Sequence, residues 1–233
     1  MRIITGIYKG RRFDIPRTFK ARPTTDFAKE NIFNVLNSYI DLEGVRALDL
    51  FAGTGSISLE LLSRGCSQVV SVEADRDHAR FIGECVRKLG VTNHQLIRGD
   101  VFRYLKSAQK SFNLERDSAA LPASQQPLNS DAVAIERGSA ALPAAQQPYT
   151  AEGPYTPQSG HARGSAAFSF IFADPPYALP NLPDIPDLVL QSGILAPGGV
   201  FVFEHGKQND FSSHPCFREH RAYGSVNFTI FTT

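Results

Sequence analysis

The sequence predicts an α/β protein on a mostly parallel sheet that ends in an antiparallel hairpin. Short apolar runs alternate with amphipathic stretches from Val45 to Ser107, the rhythm of parallel strands covered by crossover helices. A later apolar run, Phe168 to Ala173, stops at Asp174-Pro175-Pro176-Tyr177, as a buried strand does at the carboxyl edge of such a sheet. Finally, Phe217 to Ala222 and Val226 to Phe231 flank the turn Tyr223-Gly224-Ser225, which reads as a closing hairpin.

The elements follow in order. A small N-terminal hairpin is expected, with arms Arg2 to Tyr8 and Arg12 to Ile15 turning at Lys9-Gly10-Arg11. A helix from about Asp26 to Tyr39 comes next: Asp26 and Glu30 suit the positive end of the helix dipole, and Phe27, Phe33, Leu36 and Ile40 recur at near-helical spacing. Gly44 marks its exit. Strand and helix then alternate as Val45 to Leu50 and Ser56 to Arg64, Gln68 to Val72 and Asp75 to Leu89, His94 to Ile97 and Val101 to Ser107. After Phe168 to Ala173, Pro183 and Pro186 confine a helix to roughly Asp187 to Ser192, and Pro197-Gly198-Gly199 turns into the strand Val200 to Glu204.

Between Gln109 and Ala166 the rhythm breaks. Arg116 to Pro127 recurs as Arg137 to Pro148, an offset of 21 residues, and a truncated copy, Arg163 to Ala167, runs into the strand. Each copy holds one large apolar residue, Leu121 or Leu142, too few for a solenoid; the segment reads as a disordered insertion made by duplication. The expected organisation is therefore an N-terminal basic hairpin and helix over 1–40, then a domain over 41–233 interrupted by 109–166.

At 233 residues, 42% hydrophobic and 20% charged, the chain reads as a soluble globular protein. Its opening residues are polar and basic, and no apolar run approaches about 18 residues, so a cytoplasmic protein without membrane contact is expected. Cys66, Cys85 and Cys216 show no metal-ligand or disulfide spacing and are read as small buried apolar residues. Net charge is +1, but the first thirty residues carry eight basic side chains against three acidic, a local balance of +5. Such a basic lobe suits contact with a phosphate backbone.

Chemistry concentrates at strand ends. In Asp174-Pro175-Pro176-Tyr177 the prolines hold the backbone extended, so the carboxylate and the Pro175 carbonyl can accept both hydrogens of an exocyclic amine. Tyr177 offers a stacking face for a planar base. Asp49-Leu50-Phe51-Ala52-Gly53-Thr54-Gly55 follows the first strand, and its glycines let a ligand approach the backbone. A dinucleotide fingerprint would place a third glycine where Ser58 stands, so phosphate binding is weakly supported. Glu73 ends the next strand 18 residues past Gly55, where a carboxylate can grip ribose hydroxyls, although NAD enzymes share that feature. Asp100, after Gly99, could meet an adenine amine or cap the following helix.

Taken with Met1-Arg2-Ile3-Ile4-Thr5-Gly6, Lys9-Gly10-Arg11 and above all Arg22-Pro23-Thr24-Thr25-Asp26, these motifs resemble the bacterial RsmD family. That resemblance implies a Rossmann-like class I methyltransferase with a seven-stranded sheet, transferring methyl from S-adenosylmethionine to guanine N2 in 16S ribosomal RNA. It implies a cofactor site of Asp49, Phe51, Gly53, Gly55, Glu73, Asp100, Val101 and Asp174, and a catalytic set of Asp174, Pro175 and Tyr177. Lys9, Arg11, Arg12 and Arg22 are the expected RNA contacts. The partner is 16S ribosomal RNA or the small ribosomal subunit; a monomer without metal is expected. A DNA adenine-N6 or cytosine-N4 methyltransferase would use the same site, but no large target-recognition domain is visible. His78 and His205 are read as surface residues rather than bases.

Overall fold

The computed structural model describes residues 1–19, 25–120 and 167–233, except the side chains of 112–120. Seven strands form one sheet: β1 (Arg46–Leu50), β2 (Gln68–Glu73), β3 (His94–Arg98), β4 (Phe168–Ala173), β5 (Leu195–His205), β6 (Phe217–Tyr223) and β7 (Val226–Thr232). Their order is β3-β2-β1-β4-β5-β7-β6, parallel from β3 through β5 and antiparallel at β5–β7 and β7–β6. The strand order reverses between β1 and β4. Ligands of open α/β folds sit at the carboxyl ends of the strands flanking such a switch.

Both faces are covered. One carries α1 (Asp26–Leu36), α2 (Ser56–Ser63) and α3 (Arg76–Leu89); the other carries α4 (Val101–Ala120) and α5 (Ile185–Gln191). Strand residues alternate between the faces with period two, so Phe170, Phe172, Val202 and Phe228 join the first cluster while Ile171, Phe201, Phe203 and Phe231 join the second. Burial on both sides explains the nearly continuous apolar strands.

The N-terminal segment belongs to the first face. Ile3 and Phe13 join the cluster that holds α1 and α2. Glu60 of α2, fully buried, accepts the backbone N–H groups of Ile4 at 2.8 Å and Thr5 at 3.0 Å, and also the Arg64 guanidinium. Lys29 of α1, equally buried, donates to the Arg2 carbonyl at 2.7 Å and to Ser56 Oγ at 3.0 Å, with Glu60 3.8 Å away. One of the eight basic residues near the amino terminus is thus an internal strut and adds nothing to the outward charge.

Several boundaries depart from expectation. The hairpin is narrower than expected: Arg2 bridges Arg12, and Thr5 to Gly10 turn, tied down by bonds from Ile7 N–H and Tyr8 N–H to Ser63. Helix α1 ends at Leu36, and Phe27 points outward instead of into the core. Helix α4 continues past Gln109 to Ala120, because Lys110, Glu115 and Ala119 are good helix formers. The insertion therefore begins inside a helix; repeat residues 121–166 lie outside the described residues. Pro186 falls in the first turn of α5, where no N–H is needed. Strand β5 starts at Leu195, and Pro197 to Gly199 bulge between residues paired with Phe168 and Phe170. Cys66 and Cys85 are buried, their thiols pushed up to about 12 by burial, whereas Cys216 is half-buried.

Candidate active site

The carboxyl ends of β1, β2 and β4 meet at one point. Leu50 pairs with Val72 on one side and Ala173 on the other, and the Asp174 N–H donates to the Leu50 carbonyl at 3.3 Å. The loop after β1 is therefore flanked by Glu73 and by Asp174-Pro175-Pro176-Tyr177.

Within that loop Phe51 takes φ of 60°, a left-handed conformation that costs a side-chain-bearing residue roughly 1–2 kcal/mol. Ala52 N–H on the Val72 carbonyl at 3.1 Å and the edge of Phe51 on Phe102 hold it there. Gly53 has φ of 54°, and a Cβ added to it would meet only the Phe51 carbonyl, at 3.9 Å. The bare backbone faces open space, as a cradle for a ligand requires. Gly55 has φ of 74° and lies against Ile82, where an added Cβ would come within 2.9 Å. It closes the loop onto α3 and starts α2.

Glu73 is held by that same loop. Its Oε2 accepts the Gly53 N–H at 2.6 Å and its Oε1 the Asp75 N–H at 2.8 Å, with His78 Nδ1 at 3.8 Å. A carboxylate has about four acceptor sites, so two backbone donors orient it and leave capacity for ribose hydroxyls. His78 is half-buried beneath the Phe19 ring at 4.4 Å, not on the open surface. Asp100 is exposed and caps α4 by accepting the Arg103 N–H at 2.9 Å, and Val101 beside it is buried. Both readings of Asp100 are compatible with that placement.

Asp49 is placed differently from the other site residues. It lies beneath the loop, 1% exposed, accepting both the backbone N–H at 3.0 Å and the hydroxyl of Ser58. Ser58 Oγ contacts Ser71 Oγ at 2.6 Å, which contacts His94 Nε2 at 2.8 Å, so a buried polar chain crosses β1, α2, β2 and β3. Burial pushes the Asp49 carboxyl up to about 7 and the His94 imidazole down to about 4. Ser58, the residue that breaks the dinucleotide fingerprint, is the anchor for Asp49. Spacing alone could show the missing glycine but not its polar replacement's partner.

Tyr177 is 38% exposed, and its hydroxyl donates to Glu204 Oε1 at 2.9 Å. Glu204, 4% exposed near the end of β5, was not singled out from the sequence. The signal was present: an acid terminating the apolar run Val200 to Phe203 at the same sheet edge. His205 is fully buried, bonded to Thr229 Oγ1 at 2.8 Å and near the Gly206 carbonyl, which corrects its surface reading. Lys9, Arg11 and Arg12 are exposed; Arg22 lies outside the described residues. Among the described residues, no group of three His, Cys, Asp or Glu could hold a metal, and no helix is long and apolar enough to cross a membrane.

The family model described as Conserved hypothetical protein 95 matches residues 1–116 and 144–232. The chain belongs to this family. The RsmD resemblance is borne out at that level, since relatives of the chain carry the name ribosomal RNA small subunit methyltransferase D. One, from Escherichia coli K12, is 34% identical over 110 residues, covering 47% of this chain and 54% of its own. Another, from Buchnera aphidicola, is 31% identical over 114 residues, covering 49% and 58%. The chain thus spans little more than half the length of these relatives. A Rickettsia prowazekii protein named an uncharacterized methylase aligns over 217 residues at 25% identity, 91% of this chain and 87% of its own. Among solved structures, a hypothetical protein from Thermus thermophilus superposes with a TM-score of 0.68 at 23% identity, covering 100% of this chain and 99% of its own. The Escherichia coli protein yhhF, provisionally named a methyltransferase, gives 0.66 at 20% identity, covering 100% and 97%. These likenesses establish the fold.

Proposed function

We propose that the protein transfers a methyl group from S-adenosylmethionine to the exocyclic N2 amine of a guanine in small-subunit ribosomal RNA. The observation that carries this reading is the bond from Asp174 N–H to the Leu50 carbonyl, which sets the base shelf directly against the glycine loop. Support comes from the relatives named ribosomal RNA small subunit methyltransferase D, and from a fold neighbour, also provisionally named a methyltransferase, solved with SAH at a TM-score of 0.54 and 13% identity, covering 88% of this chain and 49% of its own.

The residues present fit such a cofactor. Gly53 leaves its backbone bare, Glu73 is oriented by two N–H donors for a ribose, and Asp100 is exposed at the end of β3 to accept from an adenine amine. S-adenosylmethionine supplies a methyl group on a cationic sulfur. The chain supplies the geometry around the nucleophile: the Asp174 carboxylate and the Pro175 carbonyl accept the two amine hydrogens, which favours a pyramidal nitrogen with its lone pair aimed across the loop. Tyr177, fixed by Glu204, stacks on the base and holds its plane. The amine proton leaves to Asp174 or to water once nitrogen has become cationic. An unpaired or flipped base is required, because a paired guanine cannot reach a shelf at the sheet edge.

The test is label transfer from radioactive S-adenosylmethionine to free small-subunit ribosomal RNA, assembled small subunits and duplex DNA. Label in either ribosomal substrate is expected; label in duplex DNA alone would overturn the reading.

A further inference from the structure

We propose that Phe27 and Tyr223 form a second aromatic ledge, which stacks an unpaired base of the RNA strand whose guanine enters the Asp174 shelf. The inference rests on the function read above and names a further contact for the same substrate. Phe27 lies in the first turn of α1 and is 66% exposed, although its sequence spacing belongs to the buried stripe. Its ring meets Tyr223 at right angles, with centroids 6.2 Å apart and planes at 89°, a contact that covers at most one face of the Phe27 ring. Among the described residues the exposed large apolar side chains are Ile7, Phe27 and Tyr177. Two of these three are aromatic and lie on the same sheet edge.

Their placement follows from register. His205 at the end of β5 pairs with Asn227 at the start of β7, so the β6–β7 turn, with Tyr223, lies at the edge where β4 ends in Asp174. Tyr177 is bonded to Glu204, Glu204 is paired with Phe228, and the Phe228 ring lies 6.1 Å from that of Tyr223. Strand β6 stands three strand spacings from β4, whose end carries Asp174, about 14 Å, which suits a nucleotide close in sequence to the target. Next to Phe27, a groove of about 590 Å³ is lined by Thr25 and Asp26, by Arg2 and Arg12, and by Ser56 beside the glycine loop. Arg2 pairs with Asp26 at 3.2 Å, while Arg12 is exposed to meet a phosphate. Every base has a π-face, so such a ledge adds affinity with little sequence preference.

The probe is a short single-stranded RNA with one guanine between pyrimidines, compared with the same oligonucleotide carrying abasic sites beside the guanine. Fluorescence anisotropy at fixed salt should show Phe27→Ala binding the intact RNA about tenfold more weakly, as loss of one base–aromatic stack predicts. Phe27→Trp should restore wild-type affinity, and the abasic RNA should bind wild type and Phe27→Ala alike. S-adenosylmethionine affinity should stay unchanged, and KM for RNA should rise with kcat preserved. Equal affinity of wild type and Phe27→Ala for the intact RNA would overturn the ledge while leaving the proposed function standing. Absence of methyl transfer to any ribosomal RNA by wild type would instead overturn the function, and the oligonucleotide comparison would still decide the ledge.

Discussion

Asp49 and Glu73 sit on adjacent strands and are both largely buried, yet Glu73 is bonded to the backbone of the loop and of Asp75 while Asp49 is bonded to Ser58 beneath the loop. The buried chain from Asp49 through Ser58 and Ser71 to His94 has a consequence for pH. Asp49, raised to about 7, is protonated in the folded protein at pH values where the unfolded chain has lost that proton; its contribution is full below the ordinary Asp range and is lost as pH rises towards 7. His94, lowered to about 4, acts in the opposite sense: its contribution is full above the ordinary His value and is lost as pH falls towards 4. Between about pH 4 and 6.5 the two slopes oppose each other. In denaturant unfolding over that window, the stability of Asp49→Asn should therefore rise with pH relative to wild type, and that of His94→Gln should fall relative to wild type. Each slope is bounded by about 1.4 kcal/mol per pH unit. Parallel profiles for all three proteins would mean that neither group titrates as described. At the catalytic end, Asp174→Asn keeps the shape but exchanges a charged acceptor for an amide. Single-turnover methylation should slow by on the order of 10²-fold, and more in Asp174→Ala, while S-adenosylmethionine still binds; near-normal rates would remove Asp174 from the chemistry.

At the scale of elements, a buried carboxylate is central to the junction of the N-terminal arm and α1 with α2, beside the bonds to Ser56 and Ser63. Glu60 receives two backbone N–H groups, Arg64 and Lys29, and burial pushes the Lys29 ammonium below its usual range despite Glu60 nearby. Removing one partner of a buried ion pair leaves the other uncompensated. Glu60→Ala is expected to lower stability by about 3–5 kcal/mol in denaturant unfolding, whereas Asp77→Ala, an exposed residue paired with Arg80, should change it little. A loss below about 1 kcal/mol in Glu60→Ala would show that the apolar contacts and the bonds to Ser63 hold the arm without Glu60. Strands β2 and β4 were legible in sequence to within a residue, as Gln68 to Val72 and Phe168 to Ala173, whereas β5 was expected only from Val200. The misread boundaries lie where local pattern is ambiguous: α4 continues into Ala-rich repeat sequence, and Pro197 to Gly199 form a bulge within β5 rather than the turn that leads into it. Phe27 fitted the helical period, but one residue at a helix end can rotate out of the stripe at little cost, and nothing local shows it.

For the molecule as a whole, the strand-end positions of Glu73, Asp100 and Asp174 were legible because a parallel sheet brings all its strand ends to one edge. Their partners were not, since Ser58, Glu204 and His94 are joined to Asp49 and Tyr177 by interactions distant in sequence. The outward charge of Lys9, Arg11 and Arg12 also acts at this scale. Neutralising all three should weaken RNA binding and reduce the log–log salt slope by roughly 0.7–0.9 for each phosphate they cease to neutralise, with cofactor affinity untouched; an unaltered slope in a salt titration would mark them as solvated surface. The most direct test of the central claim is the identity of the methylated nucleoside. Wild-type protein is incubated with small-subunit ribosomal RNA and labelled S-adenosylmethionine, the RNA is digested to nucleosides, and the products are separated by mass. The account predicts label in N2-methylguanosine, strongly reduced with Asp174→Asn. Label confined to another nucleoside, or undiminished by that substitution, would contradict it.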